Sequence, residues 1–368
     1  MYFKALVSLT IRGIDMTDYF VSAKTDNDGQ KIGQLCDLVM PLNCYIKYND
    51  QNNNAVFLNA TLTNFFKSGD PVHIEAWYEG MEKLVIFDGF IYDFVEGMPL
   101  HIKCMDYFYF FNLGIFGNER VFAKKTKNAK ITSKGQGVHY GSVVFKNLLQ
   151  SLVGFVNKTI DNYNKTNNAS VLPVTLSTNV GLTLTNLTFM NMSPAAILEW
   201  FKKTVGFNIT MFNNQLYVAL ASNTLNNVIL STGRNVIHSN LQRTSSTFQR
   251  LRLKCWFIRQ DGTRDSFDIG DESGDVKECF FYKIKRDGDI YEKLANSALL
   301  KYSQHKFSGE VETFLYPKAD LFDTVDYTDL RYPDKNGRYT IVKTSIRVSD
   351  KGFRRVHKLS FLVDINQE

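Results

Sequence analysis

Phe3, Ala5, Val7, Leu9 and Ile11 alternate with Lys4, Ser8, Thr10 and Arg12. This period of two predicts a strand with one buried face, so no classical export signal is expected there. The segments "NAVFLNATLTNFF", "DPVHIEAWY", "KLVIFDGFIYDF" and "PLHIKCMDY" continue in the same β-rich manner, separated by the turns "SGDP", "YEGME" and "VEGMP". Short strands between regular turns predict a small barrel or sandwich over residues 1–112.

The period then changes. In "SVVFKNLLQSLVGFVNK", Val144, Leu148, Leu152 and Phe155 fall on one helical face, and "NYNKTNNAS" is expected to break the helix. In "SPAAILEWFKKTVGF", Ser193 can cap the first turn, Pro194 suits the first helical position, and Gly206 suits the left-handed end. Ile197, Leu198, Phe201 and Val205 form its apolar stripe. "FNITMF" and "QLYVAL" flank Asn213-Asn214 as a hairpin, closing an α+β domain over residues 113–225.

Residues 226–368 return to strands, including a hairpin about Asp261-Gly262, with one helix containing Leu294, Ala298 and Tyr302. Asp289 and Glu292 have capping-box spacing at its start. The expected fold class is mainly β with an α+β insertion.

Composition supports this and narrows the chemistry. The chain has 368 residues, 29 Phe and 18 Tyr, enough aromatic and β-branched content for several β cores. Its 43 basic and 37 acidic residues are mixed, which gives no footprint for reading duplex DNA. Lys124, Lys125, Lys127, Lys130 and Lys134 form a local basic loop, either solvated or facing nucleic acid or an acidic partner protein. Cys36, Cys44, Cys104, Cys255 and Cys279 form no CxxC pair and read as buried, reduced thiols. The six histidines make no HExxH, and neither a P-loop nor a nucleophile elbow is present. No cofactor or metal is expected. "YFYFFNLGIF" is too short to span a bilayer, and no membrane anchor is expected.

The aspartates of "ADLFDTVDYTDLRYPDKNG" raise a sharper question. Asp320, Asp323, Asp326 and Asp329 recur every third residue, a spacing that gathers carboxylates on a helix. Val325, Tyr327 and Thr328, bracketed by Pro317 and Pro333, favour a strand instead, which sends Asp323 and Asp326 to opposite faces.

The same stretch echoes an earlier one. "SGDPV" opens a strand at Asp70 and Val72, and "LFDTV" does so at Asp323 and Val325. Gly89 and Gly337 each open a following strand, and a glycine-containing turn then leads to a closing one. If the echo is real, two related β domains flank the α+β insertion.

The order of these patterns, from "SGDPV" through "LEWFKKTVGFNITMFNNQLYVAL" to "G-x-Y-x-I" and "G-F-x-x-x-x-x-L", resembles the baseplate hub and tail-tip proteins of tailed bacteriophages and the related spike proteins of type VI secretion. The resemblance implies two tube-like β domains per chain. It also implies a homotrimer whose six modules make a pseudo-sixfold ring between tail tube and central spike or tip, assembled in the host cytoplasm. Its implied partners are itself, the tube and spike proteins and other baseplate proteins, with DNA only as passing cargo. Asp70, Asp323, Asp326 and Asp329 are then candidates to face the lumen, and Phe108 and Phe110 to pack at a subunit edge. Two readings remain beside it: a tail-associated wall or glycan hydrolase using the aspartates, and a carbohydrate-binding module using Trp77, Tyr78 and Trp256.

Overall fold

Alternation of apolar and polar residues dominates the architecture. The computed structural model describes residues 4–49, 55–116, 129–131, 137–220, 226–243, 251–259, 261–286, 288–302 and 307–361. Most of the basic loop around Lys124 to Lys134 lies outside them, with Lys130 in a described strand.

The first section contains β1 (Ala5–Ile11), β2 (Ile14–Asp15), β3 (Ser22–Asp28), β4 (Leu35–Met40), β5 (Asn43–Asn49), β6 (Ala55–Thr61), α1 (Leu62–Phe65), β7 (Pro71–Tyr78), β8 (Leu84–Val95), β9 (Leu100–Met105) and α2 (Phe108–Asn112). The middle holds β10 (Ala129–Ile131), β11 (Gly137–Val144), α3 (Phe145–Asn167), β12 (Thr175–Thr178), β13 (Thr183–Met190), α4 (Pro194–Thr204), β14 (Asn208–Phe212) and β15 (Gln215–Ala219). Then follow β16 (Asn227–Ser231), β17 (Val236–Ser239), β18 (Gln242–Arg243), β19 (Leu251–Ile258), β20 (Arg264–Gly270), β21 (Asp275–Tyr282), α5 (Ile290–Tyr302), β22 (Phe307–Thr313), β23 (Thr324–Thr328), β24 (Gly337–Ser349) and β25 (Gly352–Phe361).

Among the described residues, 14 strands from the two ends of the chain share one sheet, running β17-β22-β25-β24-β3-β4-β9-β8-β7-β1-β2 with β18 beside β22 and β16-β23 beside β24. The joint is β24 against β3, antiparallel from Lys343 opposite Asp28 to Ser349 opposite Ser22. Ile346, Val348 and Phe353 carry this joint into the first core, beside Leu38, Ile74 and Ile102. Val228, Leu230, Val325, Tyr339 and Leu359 form a separate, smaller core.

The middle helices build the largest core, and here packing departs from chain order. Leu253, Cys255 and Phe257 of β19, Phe281 of β21 and Leu294 of α5 join Phe145, Leu198 and Phe201 rather than the second β core. Among the described residues, strand β19 pairs only with β20 and β21, and Thr185 and Lys285 bind this sheet's margin to β13 through backbone hydrogen bonds. Residues 251–302, expected within a second β domain, therefore pack with the middle unit. Three alternating apolar residues on one strand require an apolar partner, and α3 and α4 supply more such surface than the small second core.

Helix α4 forms as expected. Ser193 Oγ accepts from Ala196 N–H at 3.2 Å, Pro194 follows, and Gly206 has φ +84°. The β14–β15 hairpin turns at Asn213 with φ 51°, and the β19–β20 hairpin at Gly262 with φ 83°. Helix α3 outruns its expected break, continuing through "NYNKTN" until Asn168 takes the left-handed conformation at φ 50°. Tertiary hydrogen bonds override the poor helix propensity. Asn157 bonds both backbone groups of Val174, and Asn164 both of Val171, so the helix clasps the chain that follows it.

Candidate functional site

Two turns that begin equivalent strands carry the organisation of the molecule. At the first, Asp70 Oδ2 accepts from Lys67 N–H at 2.9 Å, Asp70 N–H donates to Lys67 O at 3.1 Å, and Gly69 has φ +95°. At the second, Asp323 Oδ2 accepts from Asp320 N–H at 2.7 Å, Asp323 N–H donates to Asp320 O at 3.2 Å, and Phe322 has φ 71°. Each turn is tied to the next strand by a reciprocal pair. Gly69 N–H donates to Ile91 O and Ile91 N–H to Asp70 O, while Phe322 N–H donates to Ile341 O and Ile341 N–H to Asp323 O.

The match extends along the strands. Strand β8 bulges against β9 between Ile91 and Asp93, and β24 bulges against β25 between Ile341 and Lys343. A bulge inserts one unpaired residue, so its recurrence at the same step of two strands fixes residue-by-residue equivalence. Ile91 corresponds to Ile341, Asp93 to Lys343, and Lys103 on β9 to Lys358 on β25. The expected glycine match does not hold. Gly89 lies opposite Val72, but Tyr339 lies opposite Val325, and Gly337 sits two residues away opposite Tyr327. Gly89 has its own steric reason, since a Cβ there would meet Met105 O at 2.4 Å and Asp106 Cα at 2.8 Å.

The aspartates are thus distributed as turn locks. Asp70 and Asp323 are each 2% exposed and Asp329 is 5% exposed, so these three candidates for a lumen are turned into the protein. Asp323 also accepts from the backbone N–H and the side-chain amide of Asn226, each at 3.1 Å, which anchors the start of β16. Burial raises its carboxyl above the usual range, against the lowering by these bonds. Asp329 accepts from Arg331 N–H and Tyr332 N–H at 2.9 and 3.1 Å. Asp326 points the other way, half-exposed, and is paired with Arg338 Nε at 3.0 Å and Asn227 Nδ2 at 2.6 Å. Its carboxyl is lowered, first by the Asn227 hydrogen bond. Their separate partners leave the carboxylates no shared reacting centre of the kind paired-acid chemistry needs. Among the described residues, no cluster of His, Cys, Asp or Glu is arranged to hold a metal ion.

Phe108 and Phe110 are both 0% exposed and lie in the chain's own largest core, with Phe110 edge-on to Phe90 at 4.7 Å and to Tyr163 at 5.4 Å. They hold the middle unit to the first β core and offer no surface to a neighbouring subunit. Tyr163 strengthens that attachment by donating to Gly69 O at 2.7 Å, and buried Lys202 of α4 donates to the carbonyls of Lys31 and Ile209. Burial lowers the Lys202 ammonium to about 8. Of the aromatic residues considered for glycan binding, Trp77 and Tyr78 are neighbours on β7 and Trp256 lies on another sheet; Trp77 is covered by Lys83, and Trp256 donates to Glu278 at 3.0 Å. All five cysteines are buried free thiols. Among the described residues, no helix is long and apolar enough to cross a membrane.

Two register-matched β modules joined in one sheet and carrying a mixed α+β unit define a mainly β fold. That fold is the one found in phage tail proteins. The chain is similar to a tail protein from Neisseria meningitidis MC58, with TM-score 0.58, 12% identity, and coverage of 97% of this chain and 96% of that one. It is similar to the 43 kDa tail protein of prophage MuSo2 from Shewanella oneidensis, with TM-score 0.55, 13% identity, and coverage of 97% and 98%. An E. coli component of the type VI secretion system, itself described as structurally similar to T4 bacteriophage tail proteins, gives TM-score 0.53, 7% identity, and coverage of 97% and 77%. The resemblance drawn from the sequence is therefore carried by the fold. No protein-family model matches the sequence, and no curated protein matches it.

Proposed function

We propose that this chain is a structural hub of a phage tail baseplate, or of a related injection machine, and that three copies form a ring of six similar modules. The observation that carries the reading is the internal duplication, in which Asp70 and Asp323 lock equivalent turns and the bulges at Ile91 and Ile341 set equivalent registers. Three chains mimic sixfold symmetry when each presents two alike modules side by side, and the β24–β3 joint holds the two modules in that relation. Such a ring matches a sixfold tube on one side and a threefold spike or tip on the other. The unit built on α3, α4, β19–β21 and α5 makes its strand pairs outside the shared sheet and is assigned to contacts with other baseplate proteins.

In this role the chain acts by assembly, in the virion, with DNA as passing cargo. Of the aspartate series Asp320 and Asp326 remain half-exposed, and Lys318 and Arg338 meet their charges, so the series adds little repulsion toward DNA. Light scattering and electron microscopy test the reading. A trimer with a ring profile is expected, and a stable monomer at micromolar concentration without rings would sink it.

A further inference from the structure

The duplication defines two strand edges that have equivalent positions but different partners. Strand β24 has two halves along one edge, with Gly337 to Thr340 holding β23 and Lys343 to Ser349 holding β3 of the other module. Strand β8 repeats the first half by holding β7 up to Phe90. Among the described residues, Asp93 to Val95 have no strand on that edge, and Phe94 N–H is met by the carboxylate of its own neighbour Asp93 at 2.9 Å. Opposite this deficit is a surplus. In the second module β18 and β17 stand beside β22 as β3 stands beside β4, and among the described residues their outer edge is unpaired. An unpaired edge presents backbone donors and acceptors ready for another strand.

The registers transfer without adjustment. Cys36 and Gly309 are equivalent through their partners Cys104 and Leu359. Thr25 lies opposite Cys36, and the register that places Gln242 opposite Ser308 and Ser239 opposite Val311 places Leu241 opposite Gly309. Thr25 is thus equivalent to Leu241, Asp26 to Gln242 and Asn27 to Arg243. Within the chain, Ser345 lies opposite Asp26 and Thr344 opposite Asn27.

We propose that a second copy of this chain docks β17–β18 antiparallel onto the free half of β8, with Val95 opposite Gln242 and Phe94 opposite Arg243, so that the joint inside each chain recurs between chains. Charge and apolar surface suit the pairing. Asp93 and Glu96 are exposed beside the free half of β8, and the register brings Arg243 opposite Phe94, next to Asp93. Val95 is 48% exposed, so the free half of β8 offers apolar surface for burial against the incoming strand.

The inference rests on the trimeric reading, and one experiment separates the two. Asp26→Cys with Ser345→Cys should form a disulfide within one chain, because those residues already face each other. Val95→Cys with Gln242→Cys should form disulfides between chains, giving covalent dimers and trimers on a non-reducing gel. A trimer by light scattering that shows the first cross-link but not the second overturns the docking alone, as does cross-linking of Val95→Cys to Asn240→Cys in preference to Gln242→Cys. A protein that stays monomeric overturns the ring and the docking together. Hydrogen exchange on the unmodified chain gives a second readout. The Phe94 amide, which points to the free edge, should slow at least tenfold on trimer formation, and an unchanged rate in a trimer refutes the pairing.

Discussion

Replacing Asp323 by alanine removes an acceptor on which two strands depend. The buried carboxylate takes the N–H groups of Asp320 and Asn226 and the Asn226 side-chain amide, at 2.7 to 3.1 Å. Each buried donor left without a partner costs about 1–3 kcal/mol, so orphaning two backbone N–H donors places Asp323→Ala at about 2–4 kcal/mol. Asp70 takes one backbone N–H, that of Lys67, beside a long contact of 3.8 Å to the exposed Arg12. Asp70→Ala should therefore cost about 1–2 kcal/mol. Asp326 is half-exposed with a surface ion pair, and Asp326→Ala should cost no more than about 1 kcal/mol. Urea unfolding followed by circular dichroism gives the order, and hydrogen exchange at the Asn226 and Asp320 amides gives the place. Equal midpoint shifts for Asp323→Ala and Asp326→Ala, or unchanged exchange at Asn226, would refute the turn-lock reasoning.

Three further outcomes are expected. Gly89→Ala should destabilise by about 2–3 kcal/mol because its Cβ meets the backbone of Met105 and Asp106, whereas Gly154→Ala in α3, with nothing within 4 Å, should stabilise by about 0.5–1 kcal/mol; thermal unfolding of both variants checks the contrast. Asn157→Ala and Asn164→Ala each remove both hydrogen bonds to a backbone residue and should lose about 2 kcal/mol apiece, read as faster proteolysis of the chain between α3 and β12. His357 is fully buried, and burial, reinforced by Arg355, lowers its imidazole to about 3. The unfolded chain takes up a proton below its ordinary value near 6.5 that the folded chain refuses, so stability falls as pH drops through that value, by about 2 kcal/mol between pH 6.5 and 5. His357→Gln should remove that part of the acid sensitivity, and urea midpoints at pH 7.5 and 5 measure it.

Local physics was legible wherever a short stretch decides its own conformation. The Ser193 cap, the Asn213 and Gly262 turns and the alternation of β1 all rest on neighbours within a few residues, and all are present in the structure. The Asp70–Asp323 echo was also visible, because both turns need an acceptor for the N–H three residues before. The spacing alone could not show how the echo continues. The left-handed turn position is Gly69 in one module and Phe322 in the other, an unfavourable conformation for a bulky side chain that its burial in the packed turn holds in place.

The sequence by itself determined strands, caps and turns, and through the repeated aspartate it determined that two of its β regions begin alike. Tertiary structure alone decided which strands share a sheet, because pairing Ser22–Asp28 with Lys343–Ser349 joins segments more than three hundred residues apart and leaves no periodic trace in either. It also decided that residues 251–302 pack with α3 and α4, that Phe108 and Phe110 are internal, and that Asp323 faces in while Asp326 faces out. An apolar or acidic residue encodes only a preference for a kind of environment; which surface supplies that environment is settled when the whole chain has packed.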